Sequence, residues 1–493
     1  MQISDDRSKL RHVLRRFGLG ASEAELDFYE PKGFKGAVEY MIEAAITPPS
    51  LEINPRDFAN KQGAVNLRVM QGLWYMRFLT TEKPLQEKMV LFWHNHFATS
   101  AEKVTNPATM AKQIELFRTM GMSNFRDLLL AVSQDPAMIF WLDNQLNVVG
   151  KPNENFAREV MELFTLGIGH YTEKDIQEAA RAFTGWGYSQ RGQNRRDDVP
   201  RPFDSFVFSP KLHDDGQKTI FGKTGNFNGE EVIDMLCKNP QTARYLTEKA
   251  WAFFVSSTPN KAAIDRISKE FFDSGLEITV LVRSIINSKE FFAPEVVGKL
   301  IKTPIDFAID TARQLGAGGI IKQLMADGKA NPDVNEENGL NRGLVRALSG
   351  PIAAHSSTKS MGMELMYPPD VSGWDFGESW ISTGTMIARM KWADSLFPVG
   401  ARTGQPLGGA NPAQRAGLMP LAAYPLFQDD PTAEGIVKRL CSIYDVVLSR
   451  DKMESLTSVA EQELGSRLTL QNANQVARRV SMGIFASPEF QFC

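Results

Sequence analysis

At 493 residues the chain exceeds the roughly 250–300 residues at which one hydrophobic core stops growing, so two core regions are expected. Hydrophobic residues at 43% and charged residues at 23% are ordinary for a globular protein, which confines disorder to loops. The net charge of -3, with Lys and Arg interspersed among acids, supplies no basic field for a phosphate backbone and argues against a nucleic-acid partner.

The cysteines Cys237, Cys441 and Cys493 have no metal-ligand spacing and cannot all pair within one chain, which excludes a disulfide framework. The first residues lack the roughly 7–15-residue apolar core of a secretory signal, and nowhere do about 18 apolar residues run together, so no transmembrane segment is expected. As the sequence stands the expected compartment is cytoplasmic, or extracytoplasmic if a leader has been removed.

In chain order, Leu85, Met89, Phe92, Trp93 and Phe97 follow Pro84 at steps of three and four, the pattern of an amphipathic helix with Pro in its first turn. Ala108 to Met120 repeats the pattern and stops at Gly121, and Ser123 is read as the N-cap of a helix from Phe125 to Ser133. A further helix is expected from Asp135-Pro136. Asn153 is read as the cap of a helix through Phe156, Val160, Leu163 and Phe164 to Gly167 and Gly169, and Thr172 with Asp175 as the start of the next, to Gly185. From 187 to 229 Asn, Arg, Asp, Pro and Gly accumulate around an alternating run, Phe203 to Phe208, which reads as a loop insertion holding one β-hairpin. Helical periodicity resumes from Glu230 to Phe292. A Gly/Asn-rich stretch from Gly316 to Gly339 is expected to join the two halves, and Ile285 to Phe291 echoes Ile484 to Phe490. The fold class is therefore mainly α: a large multi-helical array divided into a helical region 1–186, an insertion 187–229 and a helical region 230–493.

Chemistry is sought where polar groups interrupt apolar helices. Phe92-Trp93-His94-Asn95-His96-Phe97 sets two imidazoles two residues apart, so on a helix they diverge by about 200° and cannot readily grip one metal unless the helix ends there. Either they are satisfied by core hydrogen bonds, or they serve as ligands or acid/base groups. Glu154, Glu159 and Glu162, with Asn155 and Arg158, form a second cluster, read either as a solvated helix face or as half of a general acid/base or metal site completed by His170. His213 and Asp214 lie in the insertion, either in a simple turn or in a lid over the helices. Contact between His94 or His96 and the Glu154–Glu162 helix is expected, because two polar islands buried apart would each leave unpaired groups.

The series Arg16-Phe17-Gly18-Leu19-Gly20, FWHNHFATS (92–100), NFRDLLLAVSQDPAM (124–138), PNENFAREVMELFTLGIGHYTEKDI (152–176), EAARAFTGW (178–186), HDDGQK (213–218) and YPPDVSGW (367–374) to Trp380-Ile381 resembles the bacterial domain-of-unknown-function-1800 family. The resemblance covers most of the chain and brings no established activity. It implies an extracytoplasmic role beside a partner resembling alkaline-phosphatase-type hydrolases, since members commonly carry export signals and are often encoded next to such proteins. YPPDVSGW, with two prolines and a Gly-Trp pair, favours an extended loop crossing back onto the N-terminal half, with Trp374 and Trp380 as packing anchors rather than a sugar-stacking platform.

Two functional readings follow. One is a metal-assisted or acid/base hydrolase, with a divalent metal as its cofactor and His94, His96, Glu154, Glu159, Glu162, His170, His213 and Asp214 as its pool of catalytic residues. The other is a non-catalytic scaffold that binds a partner protein or an envelope component, the same residues forming a polar network that fixes helix packing. Convergence of three or more of them on one cleft favours the first.

Overall fold

The computed structural model describes residues 3, 5–49, 53–189, 205–399 and 421–493. Its first helices are α1 Asp6–Phe17, α2 Glu23–Tyr29, α3 Gly33–Ala45, α4 Leu67–Thr80, α5 Pro84–His96, α6 Pro107–Met120, α7 Phe125–Ser133, α8 Pro136–Trp141, α9 Asn155–Glu159 and α10 Glu173–Ala182. After the insertion come α11 Gly229–Cys237, α12 Pro240–Phe254, α13 Lys261–Asp273, α14 Ile278–Ile286, α15 Pro304–Gln314, α16 Ala317–Ala330, α17 Arg342–Ser360, α18 Thr383–Leu396, α19 Ala433–Ile443, α20 Arg450–Leu464 and α21 Ala473–Ala486. No helix of the described residues is long and apolar enough to cross a membrane.

Local sequence explains most helix starts. Thr172 and Asp175 form a reciprocal capping box at the head of α10, as their spacing suggests. Two caps lie elsewhere than expected. Asn124, not Ser123, accepts from the Arg126 amide, while the Ser123 hydroxyl donates to the Met120 carbonyl. Asn153 accepts from the Asn155 amide at 3.0 Å, but α9 begins at Asn155 with Glu154 before it, one residue later than a cap at Asn153 implies.

α5 departs from the amphipathic reading, because all of its residues are buried. Its polar residues tolerate this because each has a partner. Gln86 donates to the carbonyls of Ala45 (2.9 Å) and Thr47 (2.8 Å), Glu87 receives Arg118 and Trp74, and Lys88 is ion-paired with Asp306. α5 is thus a central rod, and its C-terminal end carries the His-Asn-His segment into the protein interior.

The 316–339 stretch is not a simple linker, since most of it is α16. Ile321 and Met325 bury a helical stripe whose apolar gain overrides the glycines, which instead permit close packing. A Cβ on Gly318 would collide with the Leu79 carbonyl of α4, and one on Gly328 would lie 2.9 Å from the backbone of Gly343 in α17. The described residues of the insertion carry two small antiparallel pairs rather than one: β1 Trp186–Ser189 with β2 Ser205–Phe208, and β3 Lys218–Ile220 with β4 Lys223–Gly225. Phe203, part of the expected alternating run, lies outside the described residues.

The internal echo is a shared local structure. Ser288 and Ser487 each donate to a carbonyl three residues back, Ile285 and Ile484, both at 2.8 Å. Each begins a short 3₁₀ turn that buries an aromatic ring, Phe291 or Phe490.

Candidate functional site around His94, Asn95 and His96

The last turn of α5 joins three segments distant in sequence. His94 Nε2 accepts the Met366 amide at 3.1 Å, and Asn95 Oδ1 accepts the Trp374 amide at 2.6 Å. His96 Nε2 donates to the Phe164 carbonyl at 3.2 Å. The two rings therefore carry their protons on different nitrogens, Nδ1 in His94 and Nε2 in His96, as their partners require. Each leaves its Nδ1 buried without a hydrogen-bond partner. Trp74 and Trp374 pack around His94, and Phe92, Phe97, Phe164 and Tyr245 around His96. Burial pushes both imidazoles down to about 3, so they are neutral at physiological pH. The divergence expected of residues two apart is realised, with the rings serving different segments. The YPPDVSGW segment crosses back onto α5, and Trp374 and Trp380 are buried.

The expected contact between a histidine and the acidic helix falls at Phe164, just beyond Glu162, where α9 has widened into a π-turn, Val160–Thr165. The backbone bond from the Leu166 amide to the Met161 carbonyl (2.8 Å) spans five residues, and the Thr165 hydroxyl donates to the Val160 carbonyl (2.7 Å) beside it. Phe156, Val160 and Phe164 are buried as their period demands, and Leu163 is half-buried. π-turns are rare and recur at functional sites. Here the extra residue leaves Glu159 and Glu162 both half-buried. Glu162 accepts the Tyr171 hydroxyl. Glu159 has its carboxyl raised by burial and by the neighbouring Glu162. Tyr245, 6.5 Å from the His96 ring and packed where Gly167 leaves room, is pushed up to about 12 by burial and then by Glu162. His96, Glu159 and Glu162 thus border one turn of backbone.

The other nominated residues lie apart from that turn. Glu154 pairs with Arg158 at 3.3 Å, and Arg158 with Glu173 at 2.7 Å, a solvated ladder. His170 is exposed. His213 is buried with Nδ1 2.9 Å from the Thr184 carbonyl and its ring against Phe208. Asp214 receives Arg181 through both oxygens, at 2.8 and 3.1 Å, which holds its carboxyl down at about 2. The Thr219 amide donates to Glu178 and the Phe221 amide to Asp175, so residues 214–221 are strapped along α10. His213 contacts none of the other nominated side chains. Among the described residues no three His, Cys, Asp or Glu side chains are grouped so as to hold a metal ion.

One feature escaped the sequence reading, a set of charges inside the core. Arg16 donates to the carbonyls of Val255 (3.1 Å) and Val296 (2.7 Å), and Arg389 to Gln491 (2.9 Å) and to the Lys302 carbonyl (2.8 Å). The Lys302 ammonium sits 3.9 Å from the Phe490 ring centroid. Asp310, with one carboxylate oxygen unpartnered, is pushed up to about 7 by burial and by Asp306. A signal was present in Arg16-Phe17-Gly18-Leu19-Gly20, since Gly20 has φ +95° and its Cα faces Asp310 where a Cβ would lie 3.1 Å away.

No curated protein and no solved structure matches the sequence. The model of the family described as Protein of unknown function (DUF1800) matches residues 12–492, and the chain belongs to that family.

Proposed function

We propose that the chain is a non-catalytic helical scaffold whose buried polar residues fix helix packing and whose surface binds a partner in the envelope. The observation that supports this most is how the nominated groups are used: His94, Asn95 and His96 hold backbone groups of residues 366, 374 and 164, and Asp214 holds Arg181. A group committed to a backbone partner and closed off by aromatic rings is poorly placed to exchange protons with a substrate. The partner is of the alkaline-phosphatase type that the family resemblance implies. Mixing the full chain with a purified hydrolase of that type and measuring the mass of the species in solution tests this. A stoichiometric complex supports the reading, and two independent species contradict it.

A second reading, acid/base hydrolysis, draws on Glu159 alone: its carboxyl is raised, lies beside Glu162 and receives no hydrogen bond among the described residues. A raised carboxyl of this kind suits a general acid. Assays with ester, phosphoester and glycoside substrates would support it through turnover that disappears in Glu159→Gln and survives in Glu154→Gln.

A further inference from the structure

A cleft of about 340 Å³ opens between the start of α4, the end of α17 and the turn 361–367, which leads into the YPPDVSGW segment. It is at the small end of the roughly 300–1,000 Å³ typical of ligand sites. Gln71 fixes the turn by donating to the Leu365 carbonyl at 2.7 Å. Lys359 and Glu364 neutralise one another across the rim at 2.8 Å. Arg68, exposed on the same rim, has neither an ion pair nor a hydrogen bond among the described residues, so the lining carries one uncompensated positive charge. His355 in the wall is 5% exposed, and its Nδ1 is buried without a hydrogen-bond partner. That nitrogen is closed to the cleft, so a ligand hydroxyl meets only the part of the ring that lines the wall. Tyr367, from the YPPDVSGW segment, and Ser356 add hydroxyls.

We propose that this cleft binds a small hydroxylated carboxylate, with the carboxylate on Arg68 and hydroxyls on His355, Ser356 and Tyr367. The polar lining disfavours an apolar ligand. The single free guanidinium matches one negative charge in the planar, two-point geometry that carboxylates accept. A phosphate dianion would need a second cation, and Lys359 is already held by Glu364. His355, pushed down to about 4 chiefly by burial, stays neutral and adds hydrogen bonding rather than charge.

Calorimetric titration of the full chain with gluconate, glucuronate and galacturonate tests the proposal, with glucose and inorganic phosphate as controls. Saturable binding of at least one sugar acid is expected, with glucose silent and phosphate weaker. Arg68→Gln, at an exposed position, is expected to leave the melting temperature unchanged and to weaken binding about tenfold or more, the loss of one charge-assisted pair. Absence of binding by all three acids, binding unaltered by Arg68→Gln, or phosphate binding as tightly as the sugar acids would each overturn it. The proposal goes beyond the scaffold reading and fails separately from it, since sugar-acid binding is measured with no hydrolase present.

Discussion

Desolvation lowers the imidazoles of His12, His94, His96 and His355, and the consequence at the residue scale is a pH dependence whose sign is fixed. His94 and His96 titrate near 3 in the folded chain and near 6.5 when unfolded, so between those values the unfolded chain binds more protons. Their contribution is complete above about pH 6.5 and is lost as pH falls toward 3, at up to about 1.4 kcal/mol per pH unit for each ring. Buried Asp135 and Asp310, both raised to about 7, act oppositely: their contribution is lost as pH rises from about 4 to 7. The informative quantity is therefore the difference between parent and variant. Urea midpoints for His94→Gln measured from pH 4 to 7 should show a shallower rise with pH than the parent, and an unchanged slope would mean that the ring is solvated. The sequence made the pairing of these rings with core partners legible, because two imidazoles ringed by aromatics must be satisfied somewhere. It could not name the partners, since Met366 and Phe164 contribute only backbone atoms, which carry no side-chain signature.

Geometry at the element scale turns on two places where an ordinary element is modified. Gly373 has φ +88°, and a Cβ there would collide with the backbone carbonyl of Asn95. Gly373→Ala should therefore cost about 3 kcal/mol, combining left-handed strain with displacement of the Trp374 amide from Asn95, measurable as a lowered denaturation midpoint. The strap over α10 makes a milder test. Asp214→Ala removes both bonds to a partly exposed Arg181, a loss of about 1 kcal/mol, and should speed proteolysis within residues 214–221 without unfolding the chain. Unchanged cleavage would show that β-pairing alone holds the strap. The capping box at Thr172 was legible because it is encoded within four residues. The π-turn was not, because its helical period is apolar like any other, and the extra residue is accommodated by tertiary partners, His96 on one side and Tyr245 on the other.

Across the whole molecule, buried ion pairs couple distant parts of the chain. Glu87 on α5 and Arg118 on α6 meet at 2.5 Å with both side chains almost fully buried, and Lys88 reaches Asp306 of α15. Removing one partner leaves an uncompensated charge, so Arg118→Met alone should cost about 3–5 kcal/mol, whereas adding Glu87→Leu should restore much of that loss. Equal losses in the single and double variants would mean that the pair is not coupled. Such pairs explain why helix content was readable from period and caps while long-range packing was not: Lys88 and Asp306 are 218 residues apart, and nothing local to either announces the other. In the scaffold reading the His-Asn-His segment is a structural joint. Its most direct test is the unfolding free energy of His94→Ala and His96→Ala at pH 7. A joint should lose about 2–4 kcal/mol in each variant, with an unchanged denaturant slope, because the partner amide or carbonyl is left buried and a cavity opens. Residues held in place for catalysis are often neutral or stabilising when replaced, so variants as stable as the parent, or more stable, would contradict the account.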